Sequence, residues 1–342
     1  MDRRRIQGGG MSDRYHHFIK AMTDAIGYAP DCIEPGRIQR FATSSNKASK
    51  PGYCKLWPDE ESGFFGDFRT GAFETWSAHS RASMTPVERQ RHDQQVAQAK
   101  AERDKQQAQR WLKNCKRIRD AWLSACDLTM GDPVTLYLKR RGLVGLRTFP
   151  AALRYHRALP YWHEGQVIGT YPAMLARFHA TDGRCVALHQ TYLTQDGCKA
   201  NVPTPKKMSP TSGHLMGGCI PLAQPVDGAL GIAEGIETAL CASAGSGVPV
   251  VAAYSASCLA GFVLPNGLKR LVIFGDNDDS GTGQSAAEKL ACRARAAGIA
   301  VTVAVPQTPN TDWADVWAQR DEMRVDAVAE SLERSYMEWE QA

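Results

Sequence analysis

Five carboxylates in the last third of the chain have the chemistry of metal ligands. They follow short apolar runs, and they are Glu234, Asp276, Asp278, Asp312 and Asp315. Clustered acids repel one another unless a cation neutralises them, and Mg²⁺ prefers carboxylate oxygens while keeping water for substrate phosphates. The residues therefore predict a site for Mg²⁺ (or Mn²⁺), provided that the fold brings them together. Two alternatives stay open: such an Asp only closes a turn or caps a helix, and Glu234 only caps the helix that begins near Ile236.

The elements that must position these acids follow from the apolar pattern. Apolar runs at 229–233, 249–253, 271–275 and 300–305 alternate with helical stretches at 236–245 and 282–297. Short apolar strands that alternate with helices predict a parallel sheet with helices on its faces. Function gathers at the carboxyl edge of such sheets. Glu234 follows the first run, Asp276 and Asp278 follow the third, and Asp312 and Asp315 follow the fourth, so we expect all five acids at that edge.

The rest of the chain shows changes of pattern that predict further segments. A Gly- and aromatic-rich stretch indicates short strands, Thr85-Pro86-Val87-Glu88 is typical of a helix start, and Asp182-Gly183 and Asp196-Gly197 indicate hairpin turns. Translation starts at Met1 or Met11. We predict an N-terminal extension and helix (1–27), a small β-rich module without zinc ligands (28–80), a basic helical connector (81–130), a basic α+β subdomain (131–226), the α/β domain with the acids (227–320) and a C-terminal helix (321–342).

Charge is distributed unevenly along the 342 residues. Residues 81–120 hold 11 Lys and Arg against 5 Asp and Glu, residues 131–226 hold 11 against 4, and residues 227–315 hold 5 against 9. A basic body beside an acidic site suits an enzyme that processes a polyanion with a metal ion. An ordinary solvated surface would also fit these numbers.

The composition argues against a membrane or secreted protein and against a zinc-binding protein. No apolar run approaches the ~20 residues that cross a membrane, and the N-terminus lacks the apolar core of a secretory signal, so we expect a cytoplasmic protein without a membrane partner. The ten cysteines include no C-x-x-C pair. We therefore expect free or buried thiols and no zinc.

The acidic segments resemble the TOPRIM domain, which bacterial-type primases, type IA and II topoisomerases and some nucleases share. The similar segments are Ile232–Leu240, with Glu234-Gly235, and Gly275–Asp278, with Asp276-x-Asp278, Gly281 and the trailing Asp312-x-x-Asp315. The sequences of these segments are most similar to the primase-like branch of the family that phages and mobile elements encode. The resemblance implies that Glu234, Asp276 and Asp278 are catalytic and carry Mg²⁺.

Upstream segments resemble the basic subdomain that precedes TOPRIM in bacterial replicative primases. The similar stretches are Tyr137–Leu143, Tyr171–Met174, Asp182–Leu188 and Lys206–Pro210. The resemblance implies that basic side chains here hold template and nucleotide phosphates. The candidates are Arg140, Arg141, Arg177, Lys206 and Lys207, each of which is also consistent with plain surface charge.

Features that this chain lacks narrow the class of TOPRIM protein that the sequence predicts. Bacterial primases usually begin with a zinc ribbon, and the cysteine spacing here offers no ligands for one. The β-rich module at 28–80 contains aromatic residues that either stack on unpaired bases in place of the ribbon or form the core of the module: Trp57, Phe64, Phe65, Phe68 and Trp76. No Gly-x-x-x-x-Gly-Lys-Ser/Thr phosphate loop is present, so we expect a separate replicative helicase. Topoisomerases also need a large tyrosine-bearing domain, for which little room is left.

The sequence thus predicts a Mg²⁺-dependent DNA primase. It would polymerise ribonucleoside triphosphates into RNA primers on single-stranded DNA, in phage, plasmid or mobile-element replication. Two alternatives stay open, a TOPRIM-type metal-dependent nuclease and a non-catalytic replication-accessory protein that binds nucleic acid.

Overall fold

The computed structural model describes residues 13–43, 50–67, 70, 72–78, 86–143, 148–279 and 281–319. The predicted C-terminal helix (321–342), Phe68 and the cap residue Thr85 lie outside these ranges. The chain divides into two compact units, Met1–Arg103 and Asp104–Ala342. None of the described helices is long and apolar enough to cross a membrane. The segment boundaries at 27, 80, 130 and 226 remain predictions.

The N-terminal unit is a helix packed on an antiparallel sheet. The elements are α1 (Asp13–Ile26), β1 (Gln39–Phe41), β2 (Gly52–Leu56), β3 (Ser62–Asp67) and β4 (Ala72–Ser77), with the strands in the order β1-β2-β3-β4. Phe18 and Met22 of α1 share a core with Leu56 and Phe65 of the sheet. The helix that the sequence assigned to an extension therefore completes the core of the β-rich module.

A long helix, α2 (Pro86–Leu123), runs across the boundary between the two units. In its second half, one amphipathic stripe is indicated by the helical spacing of Trp111, Cys115, Ile118 and Trp122. Ile118 is buried, Trp122 packs against the same core cluster, and Trp111 contacts the ring of His214 edge-on at 5.0 Å between centroids. Cys115, which the same pattern placed on that stripe, is exposed.

The second unit begins with a helix and an antiparallel meander. Here α3 (Pro133–Arg140) precedes β5 (Leu153–His163), β6 (Gln166–His179), β7 (Cys185–Tyr192) and β8 (Lys206–Met208), in the sheet order β5-β6-β7-β8. Asp132 caps α3 by accepting a hydrogen bond from the Thr135 amide. Gly183 turns between β6 and β7 with φ +79°, a conformation that glycine adopts without strain.

A four-stranded parallel sheet follows, with the strand positions that the apolar runs predict. Its elements are β9 (Ala229–Ala233), α4 (Ile236–Ser246), β10 (Val250–Ala252), α5 (Ala256–Gly261), β11 (Arg270–Phe274), α6 (Thr282–Ala296), β12 (Ala300–Ala304) and α7 (Trp313–Ala318). The strand order is β10-β9-β11-β12 and every pair is parallel. The predicted α/β fold is therefore confirmed. The short helices α5 and α7 were not predicted, because six residues carry too little periodicity.

One hydrophobic core joins the antiparallel meander to the parallel sheet. Met174 and Phe178 of β6 belong to the same buried cluster as Ile232 of β9 and Ile273 of β11. The two segments predicted as subdomains therefore share their interior. This packing holds the basic meander against the sheet that carries the acids.

Candidate active site at the carboxyl edge of the parallel sheet

The two central strands deliver three carboxylates to one edge. In the register of β9 and β11, Ala233 pairs with Phe274, so Glu234 and Gly275 leave the sheet side by side. Glu234 is fixed further by the amide of Tyr254, which donates to its carbonyl oxygen at 2.8 Å. Asp276 and Asp278 follow on the strand next to it. The expectation that strand ends gather these acids is met by the register of the sheet.

Asn277, which separates the two aspartates, ties their loop to the loop after β12. Its amide donates to the Thr311 carbonyl at 3.0 Å, its carbonyl accepts from the Asn310 amide at 2.6 Å, and its side chain donates to the Pro306 carbonyl at 2.9 Å. With the middle residue held on both sides, Asp276 and Asp278 are positioned beside Asp312. Sequence reasoning missed this role, because the partners lie about thirty residues away.

Burial and the neighbouring carboxylates both act on the pKa of Asp276. Burial raises the pKa of Asp276 to about 7, with further contributions, in decreasing order, from Asp312, Glu234, Asp278 and Asp315. Its Oδ1 is buried and accepts no hydrogen bond within the described part of the chain. Burial and then Asp278 raise the pKa of Glu234 as well. A cation in this position would relieve the repulsion and supply the missing partner.

Asp312 and Asp315 have structural partners of their own. Asp312 caps α7, accepting from the amides of Ala314 and Asp315, and the Asp315 side chain accepts from the Asp312 amide in return. Arg141 faces both carboxylates, at 3.8 Å from Asp312 and 3.5 Å from Asp315. The capping alternative thus holds for Asp312. These contacts make the pair a weaker choice as direct ligands than Glu234, Asp276 and Asp278.

The donor set suits a hard divalent cation, although the side chains are not gathered around one point. Carboxylate oxygens without sulfur or imidazole are what Mg²⁺ and Mn²⁺ bind. Over the ranges that the structure describes, no three Asp, Glu, His or Cys side chains stand close enough to hold one metal ion as they are. The chemistry of the donors nevertheless fits such a cation.

The comparison with family models decides the nature of this region. Residues 229–322 match the model described as "Toprim domain", and the matched segment carries all five acids. These residues form a TOPRIM domain. The resemblance to the TOPRIM domain that was inferred from the sequence is thereby confirmed. Residues 112–221 match a second model, described as "Domain of unknown function (DUF7146)".

Several solved primase structures are similar to this chain at low identity. The zinc-binding and RNA polymerase domains of the Aquifex aeolicus primase are 15% identical, cover 95% of this chain and 86% of that one, and give a TM-score of 0.42. A DNA primase domain from Pseudomonas aeruginosa is 16% identical over 56% and 69%, with a TM-score of 0.38. The RNA polymerase domain of the Mycobacterium tuberculosis primase in complex with double-stranded DNA is 15% identical over 66% and 80%, with 0.41. No curated protein sequence matches the chain. These values transfer no residue roles.

A buried ion pair anchors the TOPRIM domain to the meander before it. Glu237, in the first turn of α4, is 4% exposed and accepts from the Lys206 ammonium at 2.8 Å and from the Tyr137 hydroxyl at 2.7 Å. Although burial alone would raise its pKa, Lys206 and Tyr137 hold the pKa of Glu237 at about 2. Nearby, burial lowers the pKa of His189 to about 4. The sequence showed an acid in an apolar helix, which is a signal for a buried pair, but it did not show the partner.

The five basic candidates all have partners within the chain. Lys206 pairs with Glu237, and Arg141 pairs with Asp312 and Asp315. The Lys207 ammonium donates to the Trp162 carbonyl at 2.6 Å and lies 3.6 Å from the centre of the Tyr161 ring. These contacts fix the direction of the side chains without using every donor.

The remaining two candidates lie on other parts of the meander. Arg140 forms an exposed pair with Asp196 at 3.3 Å. Arg177 donates to the Ala151 carbonyl at 3.2 Å and stacks on Trp122 at 4.5 Å. The five cations are therefore distributed over the meander and α3. Lys206 and Arg141 are the two that contact the TOPRIM domain.

Proposed function

We propose that this protein is a primase-type nucleotidyltransferase that synthesises RNA primers on single-stranded DNA. The observation that carries the proposal is the carboxyl edge of the TOPRIM domain, where the buried Oδ1 of Asp276 lacks a partner beside Glu234 and Asp278. Nucleotidyl transfer needs charge neutralisation at the reacting phosphate and a group that takes a proton from the attacking hydroxyl. These carboxylates would hold the cation that neutralises the phosphate charge and would accept the proton.

The residues that would hold Mg²⁺ (or Mn²⁺) are Glu234, Asp276 and Asp278. Asp312 and Asp315 are weaker candidates for direct ligands. Bound there, the cation would offset the carboxylate charges and offer coordination positions to triphosphate oxygens. Asp276, with its pKa near 7, would release its proton as the cation binds. Metal binding at this edge should therefore be favoured by rising pH.

The chain's own residues account for the transfer step as follows. The Glu234 carboxylate accepts the proton of the primer 3′-hydroxyl, the 3′-oxygen forms a bond to the α-phosphorus of the incoming nucleotide, and the bond to the departing pyrophosphate breaks. A raised pKa makes Glu234 a better proton acceptor than an exposed carboxylate. Gly235 follows at the start of α4 without a side chain, which leaves space for a substrate beside the acid.

Basic side chains of the meander would bind the template and nucleotide phosphates. Lys206 and Arg141 would do so beside the TOPRIM domain, since each forms an ion pair with one of its carboxylates. Lys207, Arg140 and Arg177 would continue the contacts over the meander. Strand separation would come from a separate replicative helicase. The acidic segments are similar in sequence to the primase-like branch of phages and mobile elements, which favours a role in the replication of such an element.

A nuclease or a non-catalytic accessory protein would give different products. The protein is incubated with Mg²⁺, ribonucleoside triphosphates and end-labelled single-stranded DNA. The proposal expects new RNA chains on intact DNA. Shortened DNA would indicate a nuclease, whereas binding without any product would indicate an accessory protein.

Asp276→Asn tests the metal site by a readout other than activity. Because the pKa of Asp276 in the folded protein lies above its ordinary value of 3.8, its contribution to stability is present at low pH and is lost as pH rises from about 4 to about 7. At pH 8 with EDTA, the cost in the native protein is at most about 4 kcal/mol. We expect the variant to melt at a higher temperature there. Mg²⁺ should stabilise the native protein and leave the variant almost unchanged.

Asp279→Asn is the matched control for this measurement, because Asp279 is an exposed neighbour that hydrogen-bonds Asn310. It should keep the native response to Mg²⁺. Equal Mg²⁺ stabilisation of the Asp276→Asn variant and the native protein would contradict the metal site.

A further inference from the structure

A short hairpin between β7 and β8 carries a lysine that the resemblance to primases does not cover. Leu193 pairs with Lys199 in an isolated antiparallel bridge, and the Thr194 amide donates to the Cys198 carbonyl at 2.8 Å. Lys199 is exposed and lies outside all four stretches that resemble the basic subdomain. Its role has to be inferred from its position in the structure.

The hairpin packs closely against α3. Gly197 turns with φ +79°, and a Cβ atom there would overlap the backbone of α3 at Leu136. The Arg140 side chain donates to the Asp196 carbonyl at 3.1 Å and pairs with the Asp196 carboxylate at 3.3 Å. These contacts fix the position of the backbone that carries Lys199.

Strand register places Lys199 on the same face of the sheet as Lys206. Cross-strand partners project to the same side of a sheet. Thr191 pairs with Lys206, and Leu193, two residues further along the chain, pairs with Lys199. Leu193 belongs to the core shared with the TOPRIM domain, whereas Ala200 belongs to the core on the opposite side. Lys199 therefore lies on the side of the sheet that faces the TOPRIM domain.

The environment of Lys199 contains the charges of the ion pairs that join the two segments. Burial lowers the pKa of Lys199, and the nearby Lys206 ammonium lowers it further. Smaller effects come from Glu237, Arg141 and Asp312. Lys206 and Arg141 pair with carboxylates, whereas the Lys199 ammonium has no hydrogen-bond or ion-pair partner in the part of the chain that the structure describes. It is therefore available to an anion from outside the chain.

A triphosphate fits this position better than a nucleic-acid backbone. Three linked phosphates concentrate more negative charge than one Mg²⁺ neutralises, so a nucleotide at the acidic edge needs a basic group beside the cation. A single strand spreads one charge per nucleotide along an extended path. Lys207, the next cation on β8, lies on the opposite side of the sheet. The cations near Lys199 thus form a compact group and not a row.

We propose that Lys199 binds the triphosphate of the incoming ribonucleotide, with its ammonium donating to a phosphate oxygen beside the TOPRIM domain. Lysine acts here as a point charge on a flexible stem, which suits a phosphate group. The choice of substrate rests on the proposed function. Binding can be measured without synthesis, so the failure of this inference and the failure of the proposed activity are distinguishable.

The test measures the affinity of the full chain for a fluorescein-labelled ribonucleoside triphosphate with Mg²⁺, and for labelled oligothymidine in EDTA, by anisotropy. Lys199→Gln should weaken triphosphate binding by about tenfold, the change that one charge-assisted hydrogen bond supports. Its affinity for oligothymidine should stay close to the native value. Lys199→Arg keeps the charge and should retain most of the triphosphate affinity. The melting temperature of Lys199→Gln should not fall, because the ammonium has no partner in the chain to lose.

Lys269→Gln is the matched control, because Lys269 is an exposed lysine of the same unit that precedes β11 at the opposite, amino edge of the parallel sheet. It should bind the triphosphate as the native protein does. The inference is overturned if Lys199→Gln also does so, if the native protein binds no triphosphate, or if oligothymidine affinity falls as much as triphosphate affinity. Triphosphate binding that depends on Lys199, in a protein that makes no RNA, would support the inference and contradict the proposed function.

Discussion

Glu234→Gln should reduce primer synthesis by at least about a hundredfold while single-stranded DNA still binds. Glutamine keeps the shape of the side chain but removes its charge and its ability to take a proton, and general-base catalysis contributes about 10² to 10⁴ in rate. The measurement is the initial rate of ribonucleotide incorporation at saturating Mg²⁺, together with the melting temperature and the DNA affinity of the variant.

The alternative role for Glu234 was a helix cap, and the structure removes its basis. Gly235, not Glu234, is the N-cap of α4, and no side-chain cap hydrogen bond is made at that position. A capping residue would cost about 1 kcal/mol of stability on replacement with little effect on rate. An active but destabilised Glu234→Gln variant would therefore contradict the catalytic assignment.

Lys206→Met should lower the free energy of unfolding of the second unit by about 3 kcal/mol. The substitution leaves the Glu237 carboxylate buried without its cation, and breaking one side of a buried pair typically costs about 3–5 kcal/mol; the lower value is expected because the Lys206 side chain is 35% exposed. Urea unfolding of the full chain, followed by tryptophan fluorescence, measures the change.

The decisive comparison is with the double variant Lys206→Met with Glu237→Gln. It removes both charges, keeps an acceptor for Tyr137, and should regain a large part of the lost stability. Lys207→Met, at the adjacent and more superficial position, is the control and should cost under about 1 kcal/mol. Equal small losses for Lys206→Met and Lys207→Met would show that the pair does not anchor the TOPRIM domain.

This ion pair changes the interpretation of Lys206 as a phosphate ligand. A lysine that neutralises a buried carboxylate affects DNA binding through stability as well as through charge. Loss of DNA binding in Lys206→Met is therefore informative only under conditions where the variant is folded. Arg141, which pairs with Asp312 and Asp315, requires the same precaution.

The parallel sheet was predictable because its signal is local. Each strand is a short apolar run next to a helix, and the sequence placed β9 and β12 with little error because burial on both faces leaves continuous apolar residues. Carboxylates at the ends of β9 and β11 then had to share an edge. Most of the TOPRIM domain follows from this reasoning alone.

The contacts between distant segments were not predictable in the same way. Arg141 meets Asp312, and Lys206 meets Glu237, across long stretches of chain, and no local pattern encodes such pairing. In the N-terminal sheet, strand register decides which aromatic faces inward, since a shift of one residue reverses every side chain. Phe65 and Trp76 pack in the core, whereas Phe64 and the adjacent Trp57 lie on the opposite face of the sheet.

The most direct test of the account compares three proteins in templated RNA synthesis with Mg²⁺ and with EDTA. The native protein and Asp279→Asn should make RNA on single-stranded DNA only with Mg²⁺, and folded Asp276→Asn should make none above background. RNA synthesis by Asp276→Asn at the native rate, or by the native protein in EDTA, would contradict the claim that the carboxyl edge of the TOPRIM domain is a metal-dependent active site.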